Sequence, residues 1–570
     1  MLLFVNREGR RALPVISPLS YIMKIRIAYI ALLGCLSLQG YGQKRQQAAG
    51  ALERPKLVVG IMVDQMRWDY LYRYYDRYEN GGFKRMLREG FTLENTHIDY
   101  VPTVTAIGHA SVYTGSVPAL HGIAGNDFII QATGKSMYCT EDSTVQTVGS
   151  SSRAGQMSPR NLLTTTVTDE LRLATNFRAK VLGIALKDRG AILPAGHSAN
   201  AAYWFDDASG GWISSTHYMK DLPQWVKELN SRNLPEKYLK QDWNTLYPID
   251  TYVQSSADNN AYEGKYSGAA SPTFPVKTSQ MMAKGVGVIR STPYGNQLTL
   301  DMALAAVENE QMGADNITDF LAVSFSSPDY VGHQFGPNAI EVEDTYLRLD
   351  RNLADLFSYL DKKVGKGNYT AFLTADHGAA HNPNFLKDNR IPAAFWPTRD
   401  ILSALNTELE GRFREKNIAK SLSNYQVTFN NALIASKGLN ESEIRKASVA
   451  FLQKQKNVRY AIDMNDVQGA PVPEVLKQKI IKGYNSDRSG VIQIILEPAV
   501  FSGYSATGTT HGSWNPYDTH IPMVFMGWGI KSGKSHAPYH MTDIAPTVSA
   551  LLRIQEPNGT VGKVIGEVIK

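Results

Sequence analysis

Five short runs of β-branched and apolar residues recur along the chain without strict polar alternation: Lys56–Asp64, Ala179–Leu186, Asp319–Phe325, Tyr369–Asp376 and Ile521–Gly527. A strand buried on one face alternates, whereas one buried on both faces does not, so these runs predict strands of a parallel sheet covered on both sides. Between them, Phe83–Gly90, Asn161–Thr175, Asp344–Val364 and Thr542–Ile554 carry apolar residues at three- and four-residue spacing, which predicts helices. Strands alternating with helices give an α/β fold with a mostly parallel central sheet flanked by helices. Two stretches break the rhythm: about 201–300, rich in Tyr, Trp, Ser and Asn, and about 385–500, which mixes both periods. Both are expected to be inserted cap segments over the carboxyl edge of the sheet. Residues 43–570 therefore read as a single domain with two insertions, entered through a polar linker at Gln43–Pro55.

The start of the chain has a different pattern. From Met23, two basic residues (Lys24, Arg26) precede an apolar run to about Leu38, then Gly40 and Gly42, then polar residues. That is the layout of a secretory signal peptide, with residues 1–42 as the signal region and Met23 as the expected true start. Export, most simply to a periplasm, follows. The run is short for a bilayer span, and Cys35 in LLGC offers an alternative as a lipoprotein anchor, though Leu33 fits that pattern poorly. No later segment approaches about 18 continuous apolar residues, so no membrane partner is expected for the mature chain unless Cys35 is lipidated.

Composition narrows the function classes. With 570 residues, 43% hydrophobic and 20% charged, the chain can bury a full core, which excludes disorder and a disulfide-stapled miniprotein. The formal charge is +6, but residues 1–42 hold five Lys/Arg against one Glu, leaving +2 for the rest. That is too little for a nucleic acid as dedicated partner, and no basic block interleaved with aromatics compensates. Of the two Cys, only Cys139 remains once the signal region is gone, so no intrachain disulfide is expected.

In sheets of this type ligands bind beyond the carboxyl ends of the strands. Asp64 ends the first run, Asp329 and His333 follow another in SSPDYVGHQFG, Asp376 and His377 end a third in TADHG, and His511 lies in TGTTHGSWNP. Thr103 and Thr105 lie in VPTVTAIGHASVYTG, Asn126 in HGIAGND, and Lys187 and Arg189 in LKDRG. Each alone has a plain structural explanation, such as a helix-capping Asp or a solvated loop His. Three Asp and three His at one edge of successive strands are a different matter. Mixed His/carboxylate sets suit Zn²⁺ that stays open to substrate, and six ligands suffice for two ions with three each. Asp329 and His333 share a helix face at i, i+4, and Lys187 and Arg189, at i, i+2 past a strand, are expected to point the same way.

Asp64 with Thr105, Asp329-x-x-x-His333, Asp376-His377 and His511-Gly resemble the two-zinc alkaline phosphatase superfamily. VDQMRWDY, PTVTAIGHASVYTGSVPALHGIAGN, LKDRGAILPAGH and TADHG are similar to its PafA-type, phosphate-irrepressible branch, in order from about residue 56 to the final TDIAPTVSALL. The resemblance implies two Zn²⁺ per subunit, one on Asp329, His333 and His511, the other on Asp64, Asp376 and His377. It implies Thr105 as nucleophile, with Thr103 the rival two residues away, and Asn126, Lys187 and Arg189 as ligands of the phosphoryl oxygens. Phosphate monoesters, hydrolysed through a phosphothreonine to release inorganic phosphate, are the implied substrates.

Charge supports a monoester. Two Zn²⁺, three aspartates, Lys187 and Arg189 sum to a triple positive charge, which a dianionic phosphoryl group and an alkoxide balance. The rival within the superfamily is a nucleotide pyrophosphatase/phosphodiesterase, against which Lys187-x-Arg189 argues. A sulfatase would need a C/S-x-P-x-R context that PTVTA lacks. A non-catalytic phosphate-binding relic should have lost a ligand or the nucleophile, and none is missing.

Overall fold

The computed structural model describes residues 53–503 and 506–570. The signal region, Met23 and Cys35 lie outside the described residues. Residues 54–570 form one compact unit.

The architecture follows from the fully buried strands. Ten strands make one sheet: β1 (Leu57–Val63), β2 (Phe91–His97), β3 (Thr147–Val148), β4 (Val181–Ala185), β5 (Ala201–Asp206), β6 (Gly211–Ser215), β7 (Asp319–Phe325), β8 (Tyr369–Thr374), β9 (Met523–Gly527) and β10 (Gly533–His540). Their order is β10-β2-β9-β8-β1-β7-β4-β5-β6-β3. The centre, β8-β1-β7-β4-β5, is parallel throughout. Every residue of β1, LVVGIMV, is buried, as is every residue of β7 and β8. Helices that position the site are α1 (Thr105–Thr114), α2 (Asp188–Ala195), α3 (Ser327–Phe335), α4 (Ile340–Leu360) and α5 (Ile544–Leu552).

Two sequence expectations need correction. The Ile521–Gly527 run is β9, but it pairs antiparallel with both β8 and β2, so the sheet is mixed. A doubly buried antiparallel strand carries the same apolar run as a parallel one. The stretch at 201–300 is not wholly an insertion, because β5 and β6 belong to the central sheet. Much of the remainder clamps onto the flanking α4: Trp243 Nε1 and Tyr252 Oη donate to Asp344 at 2.7 and 2.5 Å.

The 385–500 stretch does build a unit of its own around a separate core that includes Leu405, Val427, Ile444 and Ile492. Its four-stranded antiparallel sheet runs Ala419–Ser423, Gln426–Phe429, Ile492–Leu496, Val458–Asp463. It meets the loops beside the sheet's carboxyl edge: Asn424 Nδ2 donates to the Asp127 carbonyl at 3.4 Å, and Lys482 pairs with Asp99 at 2.5 Å. Cys139 is a free, buried thiol. No helix among the described residues is long and apolar enough to cross a membrane.

Candidate metal centre and nucleophile

Four neighbouring parallel strands deliver the cluster. Asp64 follows β1, Asp376 and His377 follow β8, Asp329 and His333 ride on α3 after β7, and Lys187 follows β4. His511 comes from the loop before β9. Asp64, Asp376 and His377 are fully buried, and Asp329 and Lys187 nearly so.

The histidines share one arrangement. His333 Nδ1 bonds the Thr509 carbonyl at 2.9 Å, His377 Nδ1 the Gly378 carbonyl at 3.0 Å, and His511 Nδ1 the Thr103 carbonyl at 2.7 Å. A carbonyl can only accept, so each Nδ1 carries a proton, and a ring in its neutral form keeps its lone pair on Nε2. The Nε2 atoms face the carboxylates. His333 Nε2 lies 3.1 Å and His511 Nε2 3.7 Å from Asp329 Oδ1. His377 Nε2 lies 3.7 Å from Asp64 Oδ1 and 3.5 Å from Asp376 Oδ2. Those last two oxygens are buried with no hydrogen-bond partner among the described residues.

Two overlapping donor groups could therefore hold a divalent cation. Asp329, His333 and His511 can hold one, and Asp64 with His377 another; Asp329 also comes within reach of that second group. Asp376 Oδ2 lies beside this group, 3.5 Å from both His377 Nε2 and His109 Nδ1. Three imidazoles with three carboxylates are a nitrogen and oxygen set of the kind zinc takes.

Electrostatics favours the metal-binding form of some of these ligands and opposes it in others: burial would lower the pKa of His333, but Asp329 outweighs it and raises it. Burial pushes His377 down to about 4, and burial together with His377 and His333 pushes His511 well below its ordinary value, so both rings are neutral at pH 7. Burial opposes ionisation of Asp329, but His333 and Lys187 outweigh it and hold the carboxyl well below the usual range. Burial and the neighbouring Asp64 raise Asp376 well above it.

Lys187 sits differently from expectation. Its Nζ lies 2.5 Å from Asp64 Oδ2 and 2.6 Å from Asp329 Oδ2, inside the cluster. Burial disfavours the ammonium, yet Asp329 and Asp64 overcome it and raise its pKa. Nor does strand alternation align it with Arg189, which lies in the first turn of α2, where helical geometry takes over. Arg189 Nη1 instead donates to Tyr138 Oη at 2.9 Å, and Tyr138 donates to Asp188 at 2.8 Å.

Thr105 begins α1, where N–H groups lack intrahelical acceptors and the helix end favours negative charge. Its Oγ1 lies 3.5 Å from His377 Nε2. Asn126 Oδ1 accepts the Ala106 N–H at 2.9 Å, which ties its amide to the turn that Thr105 opens. Thr103 is occupied elsewhere: its hydroxyl donates to the Ser513 carbonyl at 2.9 Å while its own carbonyl holds His511.

Several supporting residues were not singled out from sequence. Gln65, at φ 63°, donates its backbone N–H to Asp376 at 3.1 Å and its Nε2 to Asp329 at 2.7 Å. Gly332 makes room for it, since a Cβ there would stand 2.0 Å from Gln65 Oε1. His109 bonds the Thr105 carbonyl at 2.9 Å and Ser324 at 2.8 Å. The Tyr330 ring lies 5.0 Å from Lys187 Nζ. His381 and His520 bond Asn338 and the Glu94 carbonyl rather than the cluster's carboxylates.

A mixed α/β sheet with a His/Asp metal centre beside a threonine at a helix N-terminus defines a metal-dependent enzyme of the alkaline phosphatase superfamily. The model of the type I phosphodiesterase/nucleotide pyrophosphatase family matches residues 58–518, and the chain belongs to that family. Within it, the chain groups with the PafA-like alkaline phosphatases. It is 55% identical to alkaline phosphatase PafA of Elizabethkingia meningoseptica, covering 94% of this chain and 98% of that one. It is 58% identical to a Myroides odoratus protein named calcium-transporting ATPase, covering 92% and 96%. The crystal structure of wild-type alkaline phosphatase PafA superposes with a TM-score of 0.90 at 55% identity, covering 91% of this chain and all of that one.

Proposed function

We infer that this phosphatase is an exported, zinc-dependent phosphomonoesterase that works through a phosphothreonine at Thr105. The observation that carries the reading is the cluster of three Nδ1-anchored histidines and three aspartates, one of whose rings, His377, brings its Nε2 to 3.5 Å from the hydroxyl that opens α1.

Asp329, His333 and His511 would hold one zinc ion and Asp64, Asp376 and His377 the other, and when bound these would supply the Lewis acidity that favours ionisation of a hydroxyl and offsets phosphoryl charge. Thr105 Oγ attacks phosphorus in line, the P–O bond to the leaving alcohol breaks, and the alcohol departs with a proton. Water then attacks the phosphothreonine, returning the Thr105 hydroxyl and releasing inorganic phosphate. The N-terminal turn of α1 and the Asn126 NH₂ group meet the phosphoryl oxygens. Lys187 has three N–H donors, two of them committed to Asp64 and Asp329, and the third is left for a phosphoryl oxygen. Arg189, steered by Tyr138, offers a fork for two more. Small-molecule monoesters leave three oxygens free for these donors. A diester leaves two, which is the argument against the phosphodiesterase reading.

The deciding measurement is kcat/KM for an aryl phosphate monoester and its methyl diester with zinc-loaded protein. A large monoester preference is expected; a diester preference would move the chain to the phosphodiesterase branch. N-terminal sequencing of the protein recovered from outside the cytoplasm checks export, with a new terminus near Gln43, or a lipidated Cys35, as the supporting results.

A further inference from the structure

Asn126, assigned above to a phosphoryl oxygen, stands at the base of a small β-hairpin in which Asp127–Ile129 pairs with Ser136–Tyr138. Cys139 N–H donates to the Asn126 carbonyl at 2.8 Å and closes that base. Tyr138, directly opposite Asp127, accepts from Arg189 through its hydroxyl at 2.9 Å. One hairpin therefore carries one of the proposed phosphoryl donors and steers another.

The 385–500 unit grips this hairpin at both ends. At the tip, Gln131 commits every polar group to it. Its N–H donates to the Asp487 carbonyl at 2.8 Å and its Nε2 to the Ser489 carbonyl at 2.7 Å. Its carbonyl and Oε1 both accept from Asn431 Nδ2, each at 3.3 Å. At the base, Asn424 Nδ2 donates to the Asp127 carbonyl at 3.4 Å. The same amide lies over Gly125, where a Cβ would stand 2.5 Å from Asn424 Nδ2. Asn424 thus touches the residues on both sides of Asn126. Its direction is set by its own backbone: Asn424 and Tyr425, at φ 53° and 59°, form the two-residue turn between Ala419–Ser423 and Gln426–Phe429. Consecutive left-handed residues are what such a turn needs, and Asn adopts that conformation more readily than most.

Resting on the reading of Asn126 as a phosphoryl ligand, we propose that Gln131 and Asn424 are positioning residues through which the 385–500 unit sets where Asn126 stands. The bond from Ala106 N–H fixes one end of the Asn126 side chain, and the grip on the hairpin fixes the backbone behind it. A donor aimed at a transition state loses most of its effect when displaced by about 1 Å, so a contact several residues away has leverage on turnover.

The test is a double-mutant cycle on the zinc-loaded chain, read as kcat/KM for an aryl phosphate monoester, with zinc content measured for every variant. Asn126→Ala should lose about 100-fold, the cost of one donor to a charged transition state. Gln131→Ala combined with Asn424→Gly, which keeps the left-handed turn but removes the amide, should lose about 10-fold with zinc content unchanged. Added to Asn126→Ala, the same two substitutions should cost less than about 2-fold, because the group they position is gone. An equal loss in both backgrounds overturns the proposal, since the hairpin would then act through the metal centre or general stability. No loss in the wild-type background, with Asn126→Ala impaired, overturns the proposal alone. An Asn126→Ala variant with full activity overturns the reading of Asn126 and the proposal with it. Should the combined variant fail to fold, Asn424→Gly alone runs the same cycle with the same criteria.

Discussion

Lys187 Nζ stands 2.6 Å from Asp329 Oδ2 and holds Asp64 Oδ2 at 2.5 Å, so one buried ammonium bridges two carboxylates of the candidate metal centre. In the metal-free protein it is the cation that keeps those aspartates tolerable in a buried site. Lys187→Met should therefore destabilise the metal-free protein by about 3–5 kcal/mol, the cost of stripping one partner from a buried pair. With zinc bound the loss should be much smaller, because the ions supply the missing charge. Urea melts of both forms, with and without chelator, check the difference.

The same side chain has one donor left for substrate, which separates stability from turnover. In zinc-loaded protein, Lys187→Ala should lower kcat/KM for an aryl monoester by about 100-fold or more, the usual cost of a buried donor to a charged transition state. The matched methyl diester, with one oxygen fewer to contact, should lose less. Equal losses would mean that Lys187 acts only through the aspartates.

Thr103 and Thr105 separate by what their hydroxyls already do. Thr105→Ala should remove nearly all turnover and all acid-stable phosphate labelling while leaving both metals in place. Thr103→Ala removes the bond to the Ser513 carbonyl, worth about 1 kcal/mol, and should leave labelling intact. Labelling that survives in Thr105→Ala but not in Thr103→Ala would reverse the roles.

Gly108 marks where α1 meets the metal centre. A Cβ there would stand 2.5 Å from both the Cβ and the carbonyl oxygen of Asp376. Gly108→Ala should push α1 and Asp376 apart, costing about 1–3 kcal/mol of stability and weakening one of the two zinc sites. Zinc titration against a competing chelator reads this as one weakened site and one unchanged.

What the sequence showed tracks how each feature is encoded. β1, β7 and β8 were legible because burial on both faces demands continuous apolar runs, and Asp64 and Asp376 come with their ends. β10, GKSHAPYH, lies at the sheet edge with much of its surface exposed and carries no such run. β5 and β6 were hidden in an aromatic-rich stretch whose later residues pack on α4. Gln65 has no sequence signal, since its role depends on a left-handed backbone beside Gly332. Arg189 was misdirected because its direction depends on α2 starting at Asp188, and Tyr138 reaches it from a hairpin some fifty residues earlier.

His197 and Asp169 give a pH dependence free of the metal centre. His197 Nδ1 lies 3.0 Å from Asp169 Oδ2, and Asp169 also receives the Ser198 N–H and hydroxyl, both at 2.8 Å. Burial would raise Asp169, but His197 and Ser198 outweigh it and pull it down to about 2. Burial would lower His197, but Asp169 outweighs it and raises it. A depressed carboxylate contributes above its unfolded pKa of about 3.9, and that contribution fades as pH falls through about 2. A raised imidazole contributes fully below about pH 6.5 and loses its contribution as pH rises through the elevated value. The pair is therefore strongest between about pH 4 and 6.5. Because 38% of the His197 side chain is exposed, water moderates the effect. The Tm difference between wild-type and His197→Gln protein, both zinc-loaded, should be largest near pH 5–6 and shrink above pH 7, in about the range where the imidazole titrates. A difference that stays constant across that range would mean that His197 contributes packing and the Leu162 carbonyl bond alone.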